Sequence, residues 1–265
     1  QMGATGGHNL DGGDIASQHT GDIVSLGKHA PGQLLQTIGG GGGRAVLDLS
    51  AESLAHLTLG ALGSTQAAGG TLDLKRSGDI ATLGERSMGM IAQSIGGGGG
   101  NIMLSMDAGS TASVSGSPAS ILLGAQSGQQ LDGGDLTLAL DGNMYTAGDL
   151  SHALFMQSIG SGGGLAVLEG AGTQPLDVAM GATDAATGNG GDITLTNNGN
   201  VETRGAMAYA VFLQSIGGGG GAVFTDAPTS VTLRDGGSGD GGTIRLTQSG
   251  SIEALGSQAV GIFAQ

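Results

Sequence analysis

From Gly191 to Gly221 the chain reads GDITLTNNGNVETRGAMAYAVFLQSIGGGGG, and the end of that stretch recurs along the sequence. QTIGGGGG starts at Gln36, QSIGGGGG at Gln93, QSIGSGGG at Gln157 and QSIGGGGG again at Gln214, and GIFAQ brings the chain to Gln265 in the same phase. Successive glutamines are 57, 64, 57 and 51 residues apart. A glycine pair ends 23 residues before each one, at Gly13, Gly70, Gly134, Gly191 and Gly242. A second glycine lies 15 before (Gly21, Gly78, Gly142, Gly199, Gly250) and a third lies 9 before (Gly27, Gly84, Gly148, Gly205, Gly256). All five copies keep all three distances. The stretch after each glycine run, beginning at Arg44, Asn101, Leu165 and Ala222, takes up every change of length. A rigid half alternates with a tolerant half.

The rigid half has the pattern of short strands. Ile15, Leu72, Leu136, Ile193 and Ile244 stand two residues after the glycine pair, and Ser17, Leu74, Leu138, Leu195 and Leu246 follow at the same parity. Alternation at period two between glycines marks a half-buried strand. A second strand carries Ile23, Ile80, Met144, Val201 and Ile252, and a third has Leu34, Ile91, Phe155, Phe212 and Phe263 two residues before the glutamine. After the glycines, Ala45-Val46-Leu47-Asp48-Leu49 alternates again. Interior glycine disfavours helix throughout. Strands of this size bury a core only when stacked on copies of themselves. The reading is all-β: a right-handed parallel β-helix, or β-solenoid, forming a single array over residues 1–265 from about five repeats of 51–64 residues. Coils of about 20 residues would place two or three turns in each repeat and give a rod of roughly 50–65 Å. A β-propeller fits less well, because blades do not vary this much in length or hold a pentaglycine at one corner.

Each glutamine shares strand parity with the apolar residue before it and with Ile38, Ile95, Ile159 or Ile216 after it, so it is expected to point inward. A buried amide then needs partners, which stacked copies or the adjoining glycine backbone can supply. The glycine runs are nearly constant in length and flanked by apolar strands. They read as ordered tight corners rather than as linkers.

Composition narrows the chemistry. Of 265 residues 58 are glycine, 11% are charged and 2% are aromatic, far from an average globular domain. Glycine does not recur at every third position, which excludes collagen, and without cysteine there is no disulfide, thiol or cysteine-based zinc motif. The net charge is −14, and the eight basic residues (Lys28, Arg44, Lys75, Arg76, Arg86, Arg204, Arg234, Arg245) are scattered, which argues against nucleic acid and anionic membranes as partners. No apolar run reaches the ~18 residues of a membrane span. His8, His19, His29, His56 and His152 match no ligand spacing and read as solvated surface residues. There is no GxSxG elbow and no GK[ST]. Asp22, Asp79 and Asp149 sit beside glycines as turn residues. The clusters LDGGD (10–14), LDGGD (131–135), GNGGD (188–192) and GSGDGG (237–242) suggest a calcium-stabilised β-roll as the alternative. Such rolls need nonapeptides in tandem, whereas these clusters stand far apart. The sequence therefore assigns no catalytic, cofactor-binding or metal residue and no cofactor; a carbohydrate-active β-helix enzyme ranks below both readings. A third idea is a ligand face built from Thr82, Thr146 and Thr203. The tolerant segments Gly109–Pro118 and Thr173–Thr187 are expected to project from the rod.

GDITLTNNGNVETRGAMAYAVFLQSIGGGGG (191–221) and GTIRLTQSGSIEALGSQAVGIFAQ (242–265) resemble the passenger-region repeats of bacterial autotransporters, which are type V secreted surface proteins. The resemblance covers all five rigid segments. It implies a β-helical passenger on the bacterial cell surface or outside the cell, serving as a non-enzymatic stalk or adhesive scaffold in adhesion, biofilm formation or surface contact. Repetition of one surface suggests weak, multivalent contacts with envelope or surface ligands, and the lack of a long apolar run suggests no membrane insertion by this segment. On the basis of the resemblance the chain is expected to be a fragment of a longer repeat array.

Overall fold

The computed structural model describes all residues except 1–4, 8–9, 50–55, 61, 65, 107–112, 115–116, 119, 126–129, 171–175, 184–185, 227–228 and 234–236. Among the described residues there is no helix, hence none able to cross a membrane, and nearly every strand pairing is parallel. The architecture is a parallel β-solenoid of five rungs.

Five kinds of strand build the rungs, besides short extra strands such as Leu62–Ser64, Ala186–Thr187 and Gly237–Ser238. The opening strands are Ile15–Thr20, Leu72–Ser77, Leu136–Asp141, Ile193–Asn197 and Ile244–Gln248. Short strands follow at Ile23–Ser25, Ile80–Thr82, Met144–Thr146, Val201–Thr203 and Ile252–Ala254. The glutamine strands are Gln33–Ile38, Met90–Ile95, Leu154–Ile159, Tyr209–Ile216 and Val260–Ala264. Post-glycine strands run over Gly42–Leu49, Gly99–Met106, Gly163–Gly170 and Gly220–Thr225. Return strands occupy His56–Leu59, Ser120–Leu123, Leu176–Met180 and Thr229–Leu233. Each kind forms its own sheet, stacked in chain order.

The expected column is present: Ile15, Leu72, Leu136, Ile193 and Ile244 pair in one line. The three inner members are fully buried, and Ile15 and Ile244 pack against the same core. The coil count is corrected. Every strand of these five kinds pairs with its equivalent one whole repeat away, as in Gln36–Gln93 and Gln93–Gln157, so one repeat makes one rung rather than two or three. Five rungs span only roughly 24 Å.

The repeat goes into width instead. Leu72, Leu136, Met90 and Met156 belong to a core enclosed by the opening, short and glutamine sheets. On the other face of the glutamine strands, Ile91, Phe155 and Phe212 meet Met103, Leu165 and Val167 of the post-glycine strands. Ile102, Leu104 and Leu168 face the opposite way and meet Leu123, Val178 and Met180 of the return strands. The glutamine and post-glycine sheets are thus buried on both faces, and their middle strands are buried at every position. Continuous burial of this kind is the habit of covered parallel sheets.

The corner joining these two sheets is the glycine run, and it is ordered. Gly99 has φ 136°, and a Cβ placed there would lie 1.9 Å from the carbonyl oxygen of Gly163 in the next rung. Positive φ and rung-to-rung backbone contact together require glycine. The tolerant half is only partly tolerant. Leu176–Met180 is a strand of the stack, with Leu176, Met180, Ala182 and Ala186 fully buried, so the described part of Thr173–Thr187 does not project. The cause is the third core, which the return strands close. In the other segment, Ser113–Val114 pairs antiparallel with Ser117–Pro118, a hairpin outside the parallel ladders; its remaining residues lie outside the described ones.

Candidate functional site

Most recurring polar residues are bonded between rungs. The glutamine amides form one continuous chain: Nε2 of Gln36 donates to Oε1 of Gln93 (2.7 Å), Gln93 to Gln157 (2.8 Å), Gln157 to Gln214 (2.7 Å) and Gln214 to Gln265 (2.9 Å). Gln157 Nε2 also donates to the Gly164 carbonyl at 3.1 Å. The inward reading of these residues holds, and the partners are those expected.

The residue after each glutamine is a clamp. Ser94 Oγ donates to the Gly70 carbonyl (2.7 Å) and accepts from Gly134 N–H (2.7 Å), tying two successive rungs together. Thr37, Ser158 and Ser215 do the same at their own levels. This ties the [ST] of the motif to the distant glycine pair. A Cβ on Gly69 would stand 2.3 Å from Ser94 Oγ, so the pair makes room for the hydroxyl. Both features are plain in the sequence; their contact is not.

The turn acids also face their neighbours' backbones. Asp22 accepts from Asp79 N–H (2.8 Å), Asp79 from Asn143 N–H (2.7 Å), Asn143 from Asn200 N–H (3.0 Å) and Asn200 from Ser251 N–H (2.8 Å). Asp135 and Asp192 form a parallel series that ends on Thr243 N–H. The bond from Thr71 N–H holds the Asp14 carboxyl below its usual range, and that from Thr243 N–H does the same for Asp192. Asparagine replaces aspartate along the series without losing the bond, so these carboxylates act as backbone acceptors. Among the described residues no group of three or more His, Cys, Asp or Glu is placed to hold a metal ion.

Two expectations about side-chain direction are overturned. Thr82, Thr146 and Thr203 are fully buried, so they form no ligand face. Their hydroxyls donate to the carbonyls of Ser87, Ser151 (2.6 Å) and Ala208 (3.5 Å), five residues on, and close the corner before the glutamine strand. His152 is also fully buried rather than solvated. It stacks on Phe155 with ring centres 6.1 Å apart and lies 4.3 Å from Phe224, and its Nδ1 accepts from Tyr209 N–H at 3.0 Å. Burial pushes its pKa down to about 3, so it is neutral there. His19 and His29 are half-buried and His56 is exposed; His8 lies outside the described residues.

The corner after the short strand holds a non-glycine residue at positive φ in every rung: His29, Arg86, Leu150, Met207 and Gln258, all between 51° and 56°. No glycine marks this turn, so the sequence gives no sign of it. In the first two rungs it gathers charge. Arg86, 3% exposed, pairs with Glu169 of the third rung, and Lys28 Nζ reaches the same carboxylate at 3.2 Å. Ser105 Oγ donates to Glu169 at 3.0 Å, and Arg44 donates to the His29 carbonyl. Burial alone would raise the Glu169 carboxyl, but Arg86 and the bonds from Lys28, Arg86 and Ser105 outweigh it and hold the group below its usual value. Burial, with help from Lys28 and Arg86, lowers His29 to about 4. Three basic residues that look scattered in the sequence therefore meet in space.

The outer faces carry what differs between rungs. A shallow cleft of about 290 Å³ on the opening sheet is lined by Gln18, His19, Lys75, Arg76 and Asp141 among others. A second cleft, on the return sheet, includes His56, Ser120 and Asp177. In the second, His56 Nδ1 is hydrogen-bonded to Ser120 Oγ, but Asp177 stands in the rung on the far side of Ser120 rather than against the imidazole, so the acid that would orient the base for nucleophilic catalysis is not in place. Comparison with family models, curated proteins and solved structures returns no match for this chain.

Proposed function

We propose that this chain is a segment of a non-enzymatic structural stalk or adhesive scaffold displayed at a bacterial cell surface, in the manner of an autotransporter passenger. The observation supporting this most directly is that each repeat adds one rung through the same amide chain, hydroxyl clamp and acid-to-backbone bonds. The features all rungs share thus serve stacking. The variable residues on the outer faces differ from rung to rung, which suits many weak contacts whose avidity can exceed a single affinity by about 10²–10⁴. With 2% aromatics the chain is poor in the usual anchors of one tight partner.

The test is a series in which whole rungs are removed or duplicated. Excising Ser94 through Gln157 joins Gln93 to Ser158 in phase and should leave a folded rod shorter by about 5 Å. Beads coated with the series should adhere to cells or envelope material more weakly with each rung lost. Adhesion independent of rung number, or substrate turnover by the intact chain, would overturn the reading.

A further inference from the structure

Asn101 is fully buried, yet neither its Oδ1 nor its Nδ2 has a bonding partner. Nearby, Arg86 Nε, Arg44 Nε and both ring nitrogens of His29 are buried and unbonded as well. These groups belong to one place. Arg44 and Asn101 are register partners in successive rungs, Arg44 also donates to the His29 carbonyl, and His29 and Arg86 occupy the same corner position one rung apart. All four lie where the first two rungs close the space between the glutamine and post-glycine sheets.

Native proteins rarely leave buried polar atoms unbonded, so a cluster of them calls for an explanation. The inventory indicates the sign of what would satisfy them. Each guanidinium Nε carries a hydrogen, the carboxamide nitrogen carries two, and a neutral imidazole carries one. Donors therefore outnumber acceptors. Charge points the same way. Lys28 and Arg86 pair with Glu169, Arg86 also reaches Glu85, which is 57% exposed, and Arg44 adds a third positive charge at the His29 carbonyl without a carboxylate partner among the described residues. This is a cationic cluster inside a chain of net charge −14. The Lys28 and Glu169 side chains, 43% and 25% exposed, connect it to solvent.

We propose that Arg44, Arg86, His29 and Asn101 form a binding site for a small inorganic anion, of halide or oxyanion class. Guanidinium and amide donors suit such ions, and charge-assisted bonds are roughly twice as strong as neutral ones. The proposal stands apart from the scaffold reading, since an anion here would serve any role the rod has. It also has a spectroscopic consequence: a bound anion would favour His29 protonation and raise its pKa from the present value of about 4.

The test is thermal unfolding of the 265-residue chain at fixed ionic strength, with chloride or sulfate replacing gluconate in steps. The expected result is a saturable rise in Tm for at least one of the two, as specific binding to the native state requires. Asn101→Leu should weaken that response by about tenfold or more, because a hydrogen bond to a charged group is lost. In gluconate the same variant should melt at or above the wild type, because leucine stands at this position one rung on, at Leu165. Arg44→Leu is the second variant and should behave alike. The His29 ring resonances should titrate at higher pH with the anion than without it, and bromide in crystals should give an anomalous peak beside Arg44 and Asn101. A Tm that follows ionic strength alone, an undiminished response in both variants, or bromide bound only elsewhere would overturn the proposal.

Discussion

Between the glutamine and post-glycine sheets, one backbone encloses two unlike fillings. In the third to fifth rungs the space is aromatic: Phe155, Phe212 and Phe263 stack with ring centres 4.6 and 4.7 Å apart, and Tyr209, Phe224 and neutral His152 pack around them. In the first two rungs it holds Arg44, Asn101, His29 and Arg86 beside aliphatic residues such as Ile91 and Met103. The register does not change between the halves, since Arg44, Asn101, Leu165 and Ala222 follow one another without a slip. The filling therefore does not set the register. What persists through both halves is the amide chain, the hydroxyl clamp and the glycine corner. A stack held by its backbone tolerates a greasy compartment and a charged one in turn.

The hardest way to break this comparison is at the part both halves share. Gly99→Ala should cost more than about 4 kcal/mol, the range reserved for severe lesions, because its Cβ meets the Gly163 carbonyl at 1.9 Å. Gly220 also sits at φ 136°, but a Cβ there would meet nothing nearer than Ile216, at 3.7 Å. Gly220→Ala should lose only about 1–3 kcal/mol of stability, to backbone strain alone. Equal losses in denaturant titrations would show that φ, and not the approach of rungs, requires the glycines.

The next test compares the two fillings. Phe155→Ala should cost about 3–5 kcal/mol. In the charged half the double variant Arg86→Leu, Glu169→Leu should stay within about 1 kcal/mol of wild type, as replaced buried ion pairs often do. Leucine is already present at the Arg86 position one rung on, at Leu150. Glu169→Ala alone should be worse than the double, since it leaves the buried Arg86 guanidinium with only the exposed Glu85 carboxylate, at 3.4 Å. A double variant worse than either single would mean that the charges, and not the shared frame, hold these rungs.

Acid should act through the aromatic half by way of His152. Its folded pKa of about 3 lies below the ordinary 6.5, so between those values the unfolded chain binds the proton and the folded one does not. Stability is complete above pH 6.5 and falls as the pH drops toward 3; His29, at about 4, adds loss in the same direction. His152→Phe should flatten the curve below pH 6.5 and leave its shape above that unchanged. Parallel melting curves for the two proteins at pH 7 and pH 4.5 would refute this. The smallest effect is expected at the turns. Asp79→Asn should change stability by no more than about 0.5 kcal/mol, because Asn143 makes the same bond in the next rung. A chelator should leave Tm unmoved, and a chelator-dependent drop would revive the calcium β-roll.

Strand positions, register and the stacked glutamines were legible in the sequence because fixed spacing and parity bear directly on parallel pairing. Three things were not. Spacing shows that Gln36 and Gln93 are equivalent but not how many turns separate them, so one rung per repeat had to come from the pairings. Parity places Thr82 on a face but cannot show that its hydroxyl is met by the carbonyl of Ser87, which is what makes burial affordable. The charged corner brings Arg44 to the His29 carbonyl, a proximity that exists only once the post-glycine strand has folded back on the glutamine strand.

One circuit of the chain takes 51 to 64 residues. It advances the axis by a single strand spacing, so each residue lengthens the rod by only ~0.1 Å. The rest of the polymer goes into girth. For an elastic beam, flexural rigidity rises with the fourth power of diameter, whereas reach rises only linearly with the number of circuits. Four broad sheets enclosing three filled layers therefore make a squat strut rather than a tether: a transverse load at one end is carried to the other with little curvature.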